Sequence, residues 1–340
     1  MKRPKIVIFL FLGSLIILFF SCVDMNEDQK IKIPIMIIST GSVGAGHFNI
    51  CSSIAEWVNA RVSGYPITAV PGSGGIGNPM RVGMGRADIG VSYGPLLRMA
   101  REGKKAPFVQ SYPNLRSICS LTSNSQHFLV SKDIEANFLE DVINEKVKLK
   151  IATGFPGTSD RFILQLVLGE LGITEEIVKN WGGSIYQIGT SGRVALWKDR
   201  HINALHSSIE FPAAAITEAM VSRKGHLLGL TETIRNNLVE KLGFIKTEIP
   251  PKTYPGQNNP VPTVKLTMVL FTTTDATEDA IYLFARTVAE SQDRFRKAYG
   301  TFKDWQPEDM IQNLGIPIHK GALKYYKERG WIETVGKEEL

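Results

Sequence analysis

Three times along this chain an apolar run stops at a loop of glycine and hydroxyl residues, and a helical pattern then begins. The first run, Ile33 to Ile38, ends at Ser39-Thr40-Gly41, followed by Gly44 and Gly46. Ile50, Ile54, Val58 and Val62 then recur every four residues until Gly64, the spacing of one helix face. The second, Ile67 to Val70, ends at Pro71-Gly72-Ser73-Gly74-Gly75, and a short helix leads to a strand at Ala87–Val91. The third, Leu149 to Ala152, closes at Thr153-Gly154-Phe155-Pro156-Gly157-Thr158-Ser159 and is followed by helical spacing through Phe162, Leu166 and Leu171. Continuous apolar strands alternating with amphipathic helices specify an α/β fold with parallel strands buried on both faces. Further strands are expected at Ile202–Leu205 and Val264–Phe271, and helices at Glu278–Tyr299 and Gly321–Gly330. Lys246 to Pro262 is rich in Pro, Gly, Asn and Lys and reads as irregular.

Loops of this build carry chemistry because of where they sit. In open α/β sheets, ligands lie outside the carboxyl ends of the strands, where such loops gather. The first turn of a helix presents unpaired N–H groups and a partial positive charge. Glycine lets an anion approach that backbone, and Ser or Thr hydroxyls add donors. One loop alone is ordinary turn chemistry. Three together point to one carboxylate- or phosphate-bearing ligand. The candidate residues are Thr40, Gly41, Gly44 and Gly46 in the first loop, Ser73 and Gly74 in the second, and Gly157, Thr158 and Ser159 in the third. His47, Phe48 and Tyr93 are expected to touch the rest of the ligand, and Tyr254 to close the pocket edge.

Several other chemistries lack support. Gly72-Ser73-Gly74-Gly75-Ile76-Gly77 matches a dinucleotide-binding pattern, but it follows the second strand, Pro79 comes straight after it, and Asp88 lies too close to hold a ribose. No P-loop, GxSxG or HExxH is present, so no enzyme is expected and no cofactor is implied. His47, His127, His206 and His319 are scattered, and no CxxC or Cys/His cluster suggests a metal. Asp160 suits the first turn of a helix; Arg161 is either a solvated helix residue or an anion clamp. Cys51 and Cys119 read as small core residues, with a disulfide between them the alternative in an oxidising compartment. The formal charge of +6 includes Lys2, Arg3 and Lys5 of the leader described next, and no basic stripe with interleaved aromatics follows, which argues against nucleic acid.

Those three basic residues precede an apolar run from Ile6 to Phe20, too short to span a bilayer comfortably, and then Ser21 and Cys22. This is the build of a secretory leader over residues 1–21. Phe19-Phe20-Ser21-Cys22 resembles the lipobox of bacterial lipoproteins, although Phe19 stands where Leu is usual. The resemblance makes Cys22 the lipid-modified first residue, with 22–32 as a polar tether; an uncleaved anchor is the alternative. Either way the remainder is expected outside the cytoplasm, in the periplasm or at the cell surface.

The mature chain as a whole resembles the TAXI family, the substrate-binding subunits of one class of TRAP transporters. The likeness rests on Ser39–Gly46 with Ile54-Ala55, on Asn78 through Gly85–Gly90, on Leu115–Ile118, and on Gly154–Asp160. Its most specific parts are Thr253-Tyr254-Pro255-Gly256-Gln257 with Val261–Val264, and Ile318-His319-Lys320-Gly321-Ala322-Leu323-Lys324-Tyr325-Tyr326. The resemblance implies a two-lobed, type II periplasmic-binding-protein fold with a ligand cleft between the lobes. The expected division is 33–127 with 267–340 as lobe 1 and 128–266 as lobe 2. It also implies capture of a small anionic solute, a carboxylate or an amino acid such as glutamate, and delivery to a TRAP-type membrane permease. A lipoprotein that senses a ligand and signals through a membrane receptor is the alternative. Three departures leave the ligand open: His47-Phe48 where many relatives carry Tyr-Tyr, a second loop richer in glycine, and His206-Ser207-Ser208-Ile209-Glu210 in place of an aspartate- and glycine-rich segment.

Overall fold

The computed structural model describes residues 36–41, 43, 46–62, 64–104 and 106–333. The expected leader, Cys22 and the tether lie outside the described residues, as does Gly44.

The chain opens with β1 (Met36–Ser39), α1 (Gly46–Arg61), β2 (Ile67–Val70), α2 (Gly74–Gly83), β3 (Ile89–Tyr93) and α3 (Gly94–Glu102). β1 pairs parallel with both β2 and β3, as continuous apolar strands require. Next come β4 (Leu115–Ser131), α4 (Leu139–Asn144), β5 (Lys150–Thr153), α5 (Ser159–Glu170), α6 (Glu175–Asn180), β6 (Ser184–Gln187), α7 (Thr190–Lys198) and β7 (Ala204–Ile209). Here β5 is the central strand, parallel to β6 and β7. Then follow α8 (Ala214–Ser222), β8 (Gly225–Leu228), α9 (Glu232–Leu242), β9 (Ile245–Ile249) and β10 (Val261–Thr273), and finally α10 (Glu278–Ala289), α11 (Gln292–Ala298) and α12 (Lys320–Glu328).

All ten strands form one sheet in the order β2-β1-β3-β10-β4-β7-β5-β6, with β8 against β4 and β9 against β10. The two long strands join its two parallel groups. β10 pairs with β9 over Val261–Lys265 and with β3 over Met268–Phe271. β4 runs antiparallel to β10 over Leu115–Ser125, then pairs with β7 over Ser125–Val130. Register breaks between Thr267 and Val269, and between Leu270 and Phe271, mark where β10 turns from one group toward the other.

The core follows the same division. Ile50, Ile54 and Val58 on α1 pack with Ile89, Ile281, Phe284 and Tyr326. Leu129, Trp197, Leu205 and Ile216 form a second cluster on the β5–β7 side. A third cluster is continuous from Leu96 and Phe271 to Ile163 and Leu164 and so reaches from β3 and β10 to the β5 side. Cys51 and Cys119 are buried free thiols in the first cluster, as the reading of small core residues has it, and burial pushes both upward in pKa.

The structure corrects three readings. Lys246 to Pro262 is not wholly irregular, because β9 occupies its start. Ile245, Thr247 and Ile249 alternate with Lys246 and Glu248, a period-two pattern hidden by the prolines that follow. The helix expected over Glu278–Tyr299 is two helices, and the Ser291 hydroxyl at the break donates to the Thr287 carbonyl at 2.7 Å. The glycine motif is not a loop before α2 but its first turn, and Pro79 lies inside the helix. Proline cannot bond the carbonyl four residues back. That carbonyl, of Gly75, accepts instead from the Ser92 hydroxyl at 2.6 Å.

Candidate functional site

β1, β2 and β3 end at one edge of their group, and β5 and β7 end at the edge of the other. The loops leaving these ends meet. On the first wall, Gly72 N–H donates to the Gly41 carbonyl at 3.3 Å and Gly74 N–H to the Thr40 carbonyl at 3.1 Å. Asn78 holds the arrangement from below. Its side-chain amide donates to the carbonyls of Ser39, Thr40 and Val91, at 2.9, 3.0 and 2.9 Å, and its oxygen accepts from the Ser39 hydroxyl at 2.9 Å. One buried side chain thus ties together the first loop and the ends of β1 and β3. Gly72 is required by this closeness: a Cβ there would stand 2.6 Å from the Thr40 carbonyl oxygen and 2.4 Å from the Ser39 hydroxyl.

The second wall comes from the loop after β5 and the end of β7. Ser159, the first residue of α5, reaches the first wall: a Cβ on Gly75 would lie 3.2 Å from its hydroxyl and 3.2 Å from the Tyr93 ring. Glycine at 75 is what allows Ser159 and Tyr93 to come so near. Behind Ser159 a buried arginine is paired with a half-buried aspartate. Arg193, 4% exposed, donates to Asp160 at 2.8 Å and to the His206 carbonyl at 2.7 Å. Asp160 also accepts from Ser208 N–H at 3.3 Å. His206 bridges Thr153 and Gln126, and Gln126 donates to the Ser208 hydroxyl at 3.0 Å. Burial, reinforced by the Arg193 cation, lowers the His206 pKa well below the usual value, so this histidine is neutral.

Between the walls stands Tyr93, 1% exposed. Its hydroxyl accepts from Asn124 at 2.8 Å and lies 3.4 Å from His47 Nε2. Asn124, on the crossing strand β4, also donates to the Ser208 carbonyl at 3.3 Å, linking the walls. Burial brings His47 down to about 4, so it enters the site uncharged. Burial raises the Tyr93 hydroxyl, and the carboxylates of Asp160 and Glu210 add to the effect. Glu210 follows β7 directly, and its oxygens lie 3.6 and 3.8 Å from where a Cβ on Gly46, the first residue of α1, would stand.

The candidate residues therefore divide. Gly41, Gly46, His47, Ser73, Gly74, Tyr93 and Ser159 belong to the convergence or border it. Phe48 is half-buried on the first turn of α1. The Thr40 hydroxyl is taken by its own wall, donating to the Val70 carbonyl at 2.9 Å. Thr158 caps α5, accepting from Arg161 N–H at 3.4 Å and donating to the Phe155 carbonyl at 2.7 Å. Gly157 is the exposed apex of the turn, at φ 80°, with nothing within 4 Å of a Cβ placed there. Tyr254 is not at an open edge: it is 3% exposed in the core beneath β7, its hydroxyl bonded to His127 at 2.8 Å and to Ala213 N–H at 3.0 Å. Arg161 is neither solvated nor free. It is 4% exposed and ion-paired with Glu175.

Asn124 and Arg193 escaped the sequence reading, since a lone Asn or Arg has no spacing signal, and Asn78 entered it only as part of the family resemblance, without a role in the site. Among the described residues no group of three His, Cys, Asp or Glu side chains is placed to hold a metal, and no helix is long and apolar enough to cross a membrane. A surface depression of about 710 Å³ is bordered by Lys198, Pro212, Thr217 and Val221 and shares no residue with the convergence.

Two parallel groups joined by a pair of crossing strands, with the loops of both meeting at one place, define the two-lobed α/β fold of the periplasmic binding proteins. Residues 38–330 match the NMT1-like family, and the chain belongs to it. Among solved structures it resembles the periplasmic binding protein BugD, with a TM-score of 0.50 at 13% identity over 88% of this chain and 95% of that one. MatC from Rhodopseudomonas palustris, solved with bound malate, matches at a TM-score of 0.49 and 13% identity over 87% of this chain and 97% of its own.

Proposed function

We propose that this chain is an extracytoplasmic solute receptor, not an enzyme, which closes its two lobes on a small carboxylate-bearing solute and delivers it to a membrane permease of the TRAP type. The observation that carries the reading is the meeting of glycine loops from both sheet halves at Gly74–Gly75 and Ser159, beside the starts of α1, α2 and α5. Helix starts and glycine backbone favour an anion. Closure of two lobes supplies the dry, preorganised surroundings that make such weak dipoles count. The partner-switching of β10 between Lys265 and Met268 supports a lobe boundary near 266, and that of β4 at Ser125 supports one close to 127. The TAXI resemblance supports the choice of permease. A lipid on Cys22 would keep the receptor at the membrane surface.

The test is a thermal-shift panel of carboxylates and amino acids on the purified full chain. The expected result is saturable stabilisation, about 2.7 kcal/mol for a solute at 100 times its Kd, with the solute recovered unchanged. Stabilisation by none of them, or turnover of the one that binds, overturns the reading. For the anchor, Cys22→Ala is expected to release the protein from the membrane fraction, and unchanged fractionation overturns that part alone.

A further inference from the structure

We propose that Glu210 selects solutes that carry a cationic nitrogen, an ammonium or a guanidinium, beside their carboxylate. The inference rests on the solute reading above and narrows it. A site meant for a plain anion should present cations or dipoles. This one also presents a carboxylate.

The charges around the convergence can be followed one by one. Asp160 is paired with Arg193 at 2.8 Å, and Arg161 with Glu175. His47 is held neutral by burial, and so is His206. Among the described residues Glu210 has no ion-pair partner. The carboxylate is nevertheless at the meeting of the walls. It lies against the first turn of α1 and raises the hydroxyls of both Tyr93 and Tyr254. Closed around a plain mono- or dicarboxylate, the site would hold two or more like charges with little water to screen them. Closed around a zwitterion, it holds the solute's carboxylate at glycine backbone and its nitrogen at Glu210, and the charges cancel. Glu210 is half-buried, so lobe closure would strip water from a carboxylate that has no ion-pair partner among the described residues.

Position supports the assignment. Glu210 is the first residue after β7, at the carboxyl end of a parallel strand, where ligand-facing residues of open α/β sheets are found. It extends from the second wall toward the first, so a nitrogen bound there would also hold the lobes together.

The experiment is titration calorimetry of the full chain with the twenty amino acids and their 2-hydroxy-acid counterparts, which keep the carboxylate and side chain and replace the nitrogen. At least one amino acid is expected to bind ten times or more tighter than its 2-hydroxy counterpart. Glu210→Gln is expected to cut that ratio at least tenfold, and Glu210→Asp, which keeps the charge, to retain part of it. Two results overturn the inference and leave the solute reading standing: 2-hydroxy acids that bind as well as the amino acids, or a ratio unchanged by Glu210→Gln with Glu210→Asp as the folding control. Binding by neither set, while simple carboxylates bind in the thermal-shift panel, overturns it too. Failure of every solute in both experiments overturns both readings.

Discussion

The two walls of the site are built on the same chain grammar and solve different problems. The wall from β1 and β2 is made of backbone. Its glycines let strand ends and loops close to hydrogen-bond distance, and one uncharged side chain, Asn78, fastens three carbonyls. The wall from β5 and β7 is made of side chains: the Asp160–Arg193 pair, the neutral His206, and Glu210, which has no ion-pair partner among the described residues. The difference teaches how a cleft can be both permissive and selective. In the proposed receptor, backbone donors take the carboxylate and the fixed charges of the opposite wall decide what else the solute carries.

The largest expected effect lies on the charged wall. Arg193→Ala leaves Asp160 unpaired and removes the donors to the His206 carbonyl and Ser207 hydroxyl. Arg193 is buried and Asp160 half-buried, so the loss is expected near the lower end for a buried pair, about 3 kcal/mol, measurable by urea unfolding. A loss under about 1 kcal/mol would mean the pair is solvated and the two walls are alike after all.

Acid is expected to act beside that wall, at His127 of β4, which pairs with Ser207 of β7. Burial lowers His127 from 6.5 to about 4, while its ring bonds Tyr254 and the Ser125 carbonyl. The unfolded chain therefore takes up the proton first, and the stability from this group is fully present above about pH 6.5 and lost as pH falls toward 4. Linkage converts that interval to roughly 3 kcal/mol. Unfolding midpoints compared at pH 7 and pH 4.5, for the wild type and His127→Gln, check it, and the variant should show the shallower fall.

On the backbone wall, Asn78→Ala is expected to cost about 2–3 kcal/mol, because the Ser39 and Val91 carbonyls lose its amide and the Thr40 carbonyl keeps only Gly74 N–H. It should also weaken solute binding, as the loops lose their register. If stability falls and binding does not, the backbone wall is scaffolding and the solute rests on the charged one. The smallest effect is Thr158→Ala, a lost helix cap worth about 1 kcal/mol, with binding unchanged because that hydroxyl is occupied within its own loop.

The glycine loops were legible because a helix start after a strand leaves a local mark in residue type. Most of the strands and the parallel groups were legible for the same reason. The full length of β4 was not. Ser117, Ser120, Ser123, Asn124 and Ser125 interrupt its apolar pattern, yet the strand is buried. Its hydroxyls find distant partners instead, Ser117 at the Ile316 carbonyl and Ser120 at the Asp309 carbonyl. No local pattern announces a bond across nearly two hundred residues. Arg161 misled for a related reason: a charged residue on a helix reads as solvated until Glu175 is seen beside it.

By itself the sequence determined the α/β alternation, the three loops and the ends of the strands that bear them, because those depend on the preferences of neighbouring residues. Tertiary structure decided which hydroxyls are spent inside a wall, which charges are paired, and that Glu210 is brought to the start of α1 with no ion-pair partner among the described residues. Pairing and burial depend on what the folded chain brings near from far away, and only the crossing of β4 and β10 sets that.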